Sequence, residues 1–351
     1  MKKVTFLILS TLHLCSCDQK IVLPKSEYFA EIEIDTILKD DFNVRAILLD
    51  DNKVWFSSDK GNFGSYDLTS KELFRDSIVK APNKLEFRSI ANNSSHIFLL
   101  NVGSPALLYK IRKDGSENKL VYTENDKSTF YDSMKFWNDK EGIAIGDPTE
   151  GCFSIIITKD GGETWKKLSC ENLPKLIEGE AAFAASNTNV IVNKNDTWIV
   201  SGGKKARVFY SPDKGKTWEV FDSPITQGEP MTGIFSADFY DENIGFLVGG
   251  NYDKPSQNSG NKALTINGGK TWTLICENSG FGYADCVQFV PNSGGKQLVT
   301  VGFSGINYSS DNGTTWKQFS KDKEFHTIRF VDNSTAIAAG KGKIVKIKFK
   351  K

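Results

Sequence analysis

An all-β fold, a seven-bladed β-propeller of four-stranded blades, is predicted by three features of the sequence. A polar turn ending in tryptophan recurs four times, short strand-opening motifs recur at blade-like intervals, and the chain is rich in glycine and aromatic residues. The four turns are TKDGGETW (Thr158 to Trp165), SPDKGKTW (Ser211 to Trp218), TINGGKTW (Thr265 to Trp272) and SSDNGTTW (Ser309 to Trp316). In each, an Asp or Asn side chain can bond backbone amides ahead of it and close the turn. A glycine two residues on supplies the positive φ of a tight hairpin. Thr-Trp then begins the next strand, with the indole large enough to wedge between neighbouring sheets.

The openings run VRAI (Val44), FRSI (Phe87), YDSM (Tyr131), GEAA (Gly179), FSAD (Phe235), YADC (Tyr283) and FHTI (Phe325). Their second residues are 43, 44, 48, 56, 48 and 42 apart, close to the spacing of four-stranded propeller blades. A second strand follows each opening and mostly ends in glycine, as in IFLLNVG and IGFLVGG. The seventh unit has only KIVKIKFK after its second strand, one strand short. The alternating segment YFAEIEID (Tyr28–Asp35) belongs to no other unit and is expected to close that last blade, removing an exposed edge. One domain from residue 28 to 351 follows.

Ahead of it, Lys2 and Lys3 precede an apolar run, Val4 to Leu14, too short for a permanent membrane span. The run ends in Leu14-Cys15-Ser16-Cys17, which resembles a bacterial lipobox. Residues 1–16 are therefore expected to be a signal peptide, Cys17 the lipid attachment site and residues 17–27 a tether, leaving the protein lipid-anchored in the cell envelope, periplasmic or surface-exposed. A net charge of +1 offers no footprint for nucleic acid. Histidine is scarce and no cysteine pair has metal-ligand spacing, so no metal ion and no cofactor is expected. Cys152 and Cys170 flank the first tryptophan turn at equal distances from Gly161. They would face each other across a hairpin, as a disulfide or as two thiols.

The tryptophan turn is the Asp-box, or BNR repeat, which is shared by sialidases, sortilin-type receptors and photosystem assembly factors and so reports fold rather than activity. The segments FRSIANNSSHIFLLNVG, FYDSMKFWNDKEGIAIGDPTEGCF, EGEAAFAAS and GIFSADFYDENIGFLVGGNYDKP extend the likeness over almost the whole mature chain. Together they resemble the photosystem II stability/assembly factor family of seven-bladed propellers, in its secreted branch from non-photosynthetic bacteria. That resemblance implies a non-enzymatic scaffold that binds protein partners. The arginine-rich patch of photosynthetic members has no counterpart here, and no photosystem client is implied.

In a propeller the second residue of each opening should ring the top of the central channel. The ring would be Arg45, Arg88, Asp132, Glu180, Ser236, Ala284 and His326, with Asp147, Arg207 and Tyr252 on surrounding loops. Arg45, Arg88, Asp132, Glu180, Arg207 and His326 are the candidate ligand-binding residues, for a protein partner or a small polar or glycan ligand at the top face of a monomer. The same charges could instead neutralise one another in a wet channel. The alternative function is a sialidase-like glycoside hydrolase acting on exported or host glycans. It needs three arginines around a substrate carboxylate, plus a Tyr–Glu nucleophile pair and an acid. Arg45 and Arg88 suit two of the arginines, Glu180 and Asp132 supply carboxylates, and Arg207 would have to stand in where Ala284 occupies the third place.

Overall fold

The computed structural model describes residues 28–80 and 84–351. The expected signal peptide, Cys17 and the tether lie outside them. No helix among the described residues is long and apolar enough to cross a membrane. They form an all-β propeller whose helical pieces are two short 3-10 turns, Asp59–Gly61 and Cys170–Asn172.

The strands gather into six hydrogen-bonded sheets rather than the seven separate four-stranded sheets expected. Four sheets have four strands each, and their first strands are Phe87–Asn92, Tyr131–Phe136, Val190–Asn193 and Cys286–Phe289. The other two have six strands each. The first of these arises because Glu31–Asp50 is one continuous strand of 20 residues. Its first half pairs antiparallel with Thr335–Lys350, from Glu31 opposite Lys350 to Asn43 opposite Lys341. Its second half pairs with Lys53–Ser58, from Val44 opposite Ser58 to Asp50 opposite Lys53. Bulges between Thr36 and Leu38 and between Lys39 and Asn43 bend the strand without interrupting it. The segment YFAEIEID thus lies against the C-terminal strand, as its alternation led us to expect.

Thr335–Lys350 folds back on itself at Lys341-Gly342, where Gly342 has φ 75 and the Phe349 amide donates to the Ser334 carbonyl at 2.7 Å. The two halves of this long sheet pack face to face, with Val44, Ile47, Val54 and Phe56 against Ile337, Ala339 and Ile344. The second six-stranded sheet forms because Gly202–Gly203 bridges Glu180–Ala181 to Thr232–Phe239, with Gly202 opposite Gly233. A Cβ on Gly233, whose φ is +133, would fall 2.2 Å from the Gly202 Cα, so only glycine permits this join.

Glu31–Asp50, Phe87–Asn92, Tyr131–Phe136, Val190–Asn193, Thr232–Phe239, Cys286–Phe289 and Phe325–Phe330 touch in that order, and the last returns to the first. They line a central channel. The apolar core is distributed as wedges between neighbouring sheet faces instead of one centre. Each fully buried Leu, Ile, Val or Phe in such a wedge contributes roughly 1.5–3 kcal/mol.

The Asp-boxes hold these wedges at their rims. In the first, Gly162 N donates to Thr158 Oγ1 (2.9 Å), while Thr164 N and Oγ1 donate to the Asp160 carboxylate at 3.0 and 2.6 Å. The same bonds recur around Asp213 and Asp311, and Asn267 takes the role in the third box. Burial pushes the carboxyls of Asp160, Asp213 and Asp311 upward, but the Thr hydroxyls and amides outweigh it and hold all three below the usual range. Each box glycine then docks on the second strand of the preceding unit. Gly162 meets Phe98, Gly215 meets Ile143, Gly269 meets Trp198 and Gly313 meets Phe246. Trp218, Trp272 and Trp316 donate their indole N–H groups to box carbonyls, while the buried Trp165 packs edge-on against Phe98 and Phe136. Cys152 and Cys170 are joined as a disulfide, with their Cα atoms 5.6 Å apart.

Candidate functional site: the cleft at the channel mouth

The channel is not an open pore. After Glu180–Ala181 the chain crosses it, and the inner strand of that unit begins only at Val190. The crossing segment is small and polar, and its groups bond to several sheets at once. Asn187, in the left-handed region at φ 59, accepts from Ser133 Oγ and Met134 N and donates to the Ile90 carbonyl at 2.8 Å. Ser186 Oγ donates to the Asp285 carbonyl at 2.7 Å, and Thr188 Oγ1 donates to Ser236 Oγ at 2.8 Å. Arg329 Nη2 reaches the Ser186 carbonyl at 3.0 Å from the other side. These bonds leave the segment fixed, a floor rather than a flap.

Above this floor lies a cleft of about 440 Å³. Its apolar wall is the Phe183–Phe235 pair, stacked at 4.0 Å with an interplanar angle of 3°. Tyr283 stands edge-on to Phe235 at 4.7 Å, and Tyr252 edge-on to Tyr283 at 5.3 Å. Met231 and Pro230 complete that side. The polar side holds Arg45, Arg88 and Asp147.

Arg45 Nη1 lies 3.7 Å from Asp285 Oδ1 and donates to the Ala185 carbonyl at 3.4 Å. Asp285 also accepts from Tyr283 OH at 3.0 Å and has His326 Nδ1 at 3.8 Å. Arg88 uses Nε on Glu86 at 2.7 Å, and its terminal nitrogens make no hydrogen bond among the described residues. Asp147 accepts from the Ala182 amide at 2.9 Å and forms no ion pair among the described residues. Burial raises its carboxyl to about 6, although the Ala182 amide opposes the shift.

Asp132 is fully buried, and neither carboxylate oxygen has a hydrogen-bond partner among the described residues. Burial first, and then the neighbouring Asp147, push its carboxyl well above the usual range; Arg88 opposes them. The side chain thus sits buried behind the cleft, with its charged form disfavoured.

Glu180 leaves the ring, and Arg207, expected on a loop, opens the strand Arg207–Ser211. Glu180, 1% exposed, is consumed by a buried pair with Arg207, whose Nε and Nη2 bond its two oxygens at 3.0 and 2.5 Å. Ser201 Oγ and the Ile177 amide take the rest of its capacity at 2.6 and 3.0 Å. Arg207 also donates to the Lys175 carbonyl and covers the Phe209 ring. Ser236 and Ala284 are buried in the packing. Arg45 and Arg88 thus come together on one cleft, with His326 beside Arg45. Glu180 and Arg207 form a strut below the loops. The sequence reading missed Phe183, Phe235, Tyr283 and Asp285, which the crossing segment and the FSAD and YADC openings bring to the mouth.

No family model and no curated protein matches the sequence. Solved structures do match in fold. "YCF48 bound to D1 peptide" superposes with a TM-score of 0.67 at 14% identity, covering 92% of this chain and 98% of that one. "YCF48 from Cyanidioschyzon merolae" gives 0.65 at 12%, covering 90% and 98%. The WD40 β-propeller domain of Doa1 gives 0.63 at 14%, covering 92% and 98%. At such identities the shared property is the fold, and the chain is a β-propeller similar to YCF48 and to WD40 propellers.

Proposed function

We propose that this chain is a non-enzymatic binding scaffold that takes a protein partner at the channel-mouth cleft. We further propose that it is an exported, monomeric lipoprotein of the cell envelope, anchored through Cys17, within a secreted branch of assembly-factor-like propellers. In this reading the long terminal sheet counts as two blades, because its halves pack face to face, and the propeller has seven. The cleft carries the proposal: among the described residues it combines an arginine with free terminal nitrogens, a carboxylate with no ion pair, and a cluster of aromatic rings of which Tyr252 is exposed, above a hydrogen-bonded floor. Aromatic and arginine side chains on a preorganised surface are the usual anchors of protein recognition. The similar YCF48 propeller with a D1 peptide bound supports a peptide as the kind of partner. The hydrolase alternative is disfavoured because Arg207 and Glu180, two groups it requires, are spent on each other.

The test is capture of partners from an envelope extract by the mature chain, against an Arg88→Ala/Tyr252→Ala variant. Both side chains are solvent-accessible, so the variant should melt close to wild type and lose the captured proteins. Unchanged capture would overturn the reading. A panel of fluorogenic sialosides should show no turnover, whereas turnover abolished by Tyr283→Phe would establish the hydrolase. Labelled palmitate should enter wild type and not Cys17→Ser.

A further inference from the structure

We propose that the cleft also receives a small zwitterion, a free α-amino acid with an aromatic or large apolar side chain. This rests on the reading of the cleft as the working surface and adds a ligand of defined chemistry to it. The charges decide the class. Arg45 is balanced by Asp285 and Arg88 by Glu86, yet each stands on the cleft wall. Arg88 keeps its two terminal nitrogens for a bidentate acceptor, which suits a carboxylate. Asp147 has one amide bond and no cationic partner among the described residues, which suits an ammonium. Behind it Asp132 is fully buried, with both oxygens unpartnered among the described residues.

A plain anion would meet Asp147, and a plain cation would meet Arg45 and Arg88. A ligand carrying both charges on adjacent atoms satisfies both walls. Arg88 and Asp147 line the same cleft, so one ligand carrying both charges can meet both. Its side chain then lies on the stacked Phe183–Phe235 pair, with Tyr252 and Met231 beside it. The cleft volume falls within the range of small-molecule sites.

Calorimetric titration of the mature chain at neutral pH with L-phenylalanine, L-phenylalaninamide and N-acetyl-L-phenylalanine tests this. Phenylalanine should bind at least about tenfold more tightly than either blocked analogue. Asp147→Asn should erase the preference over the N-acetyl compound, and Arg88→Gln the preference over the amide, with thermal melts confirming that each variant is folded. Equal binding of the N-acetyl compound (an anion site), equal binding of the amide (a cation site), or no heat from phenylalanine at about 10 mM would each overturn the proposal. Partner capture is measured on the same preparations. Capture that persists while phenylalanine fails removes this inference and leaves the scaffold reading standing.

Discussion

Asp147 makes the stability of the molecule depend on pH in a direction opposite to most carboxylates. Its folded value of about 6 exceeds the ordinary 3.8 because the side chain is buried. The folded chain therefore binds that proton more readily than the unfolded chain. The penalty is present above the folded value and fades as pH falls toward the unfolded one. Asp147→Asn keeps an acceptor for the Ala182 amide and removes the charge. It should stabilise the protein by on the order of 2 kcal/mol above neutral pH and by almost nothing near pH 4, as read by denaturant melts across pH. Two glycines make a second residue-scale contrast. Gly162 and Gly151 share a positive φ, 81 and 80. A Cβ at Gly162 would lie 2.2 Å from Phe98 Cε1, whereas at Gly151 nothing lies within 4 Å. Gly162→Ala should cost about 3 kcal/mol or more and Gly151→Ala only about 1–2, from strain without collision. Arg45 and Arg88 were legible in the sequence because a repeat period fixes which residue of each opening faces the channel. Phe183 was not, because AAFAAS reads as an apolar strand. Only long-range bonds from Asn187 and Ser186 show that it spans the channel instead.

At the scale of elements, the Asp-box hairpins were readable as turns closed by the Asp or Asn side chain, while the bonds of the Ser/Thr hydroxyls emerged only from the structure. Glu180 was misread. The unit beginning GEAA starts its inner strand at Val190, and the longest interval in the series, 56 residues, was the sign of an inserted crossing. The first box is also spanned by the Cys152–Cys170 disulfide, which closes a loop of 18 residues. Replacing both cysteines with serine should lower unfolding free energy by about 3 kcal/mol, measured by denaturant titration with and without reductant. In the reduced wild type the same loss should appear, and the double variant should be indifferent to reductant.

At the scale of the whole molecule, strand count and closure were legible and sheet count was not. Periodicity reports where strands begin, but whether neighbouring units share hydrogen bonds depends on local events such as the bulge at Lys39/Asn43 and the Gly202–Gly233 contact. The closure itself is testable. Removing residues up to Lys39 strips the pairing partner from Lys343–Lys350 and uncovers Ile347 and Phe349, both buried in the intact chain. Such a truncation should lower the melting temperature sharply and favour association through the bared edge, seen by light scattering.

That same pairing sets the order of events in the life of the chain. The Phe29 amide reaches the Tyr308 hydroxyl across 279 residues, and Glu31 pairs with Lys350, so both contacts join segments far apart in the sequence. Closing so long a loop costs entropy before the pairing returns any stability, so the circle shuts late in folding.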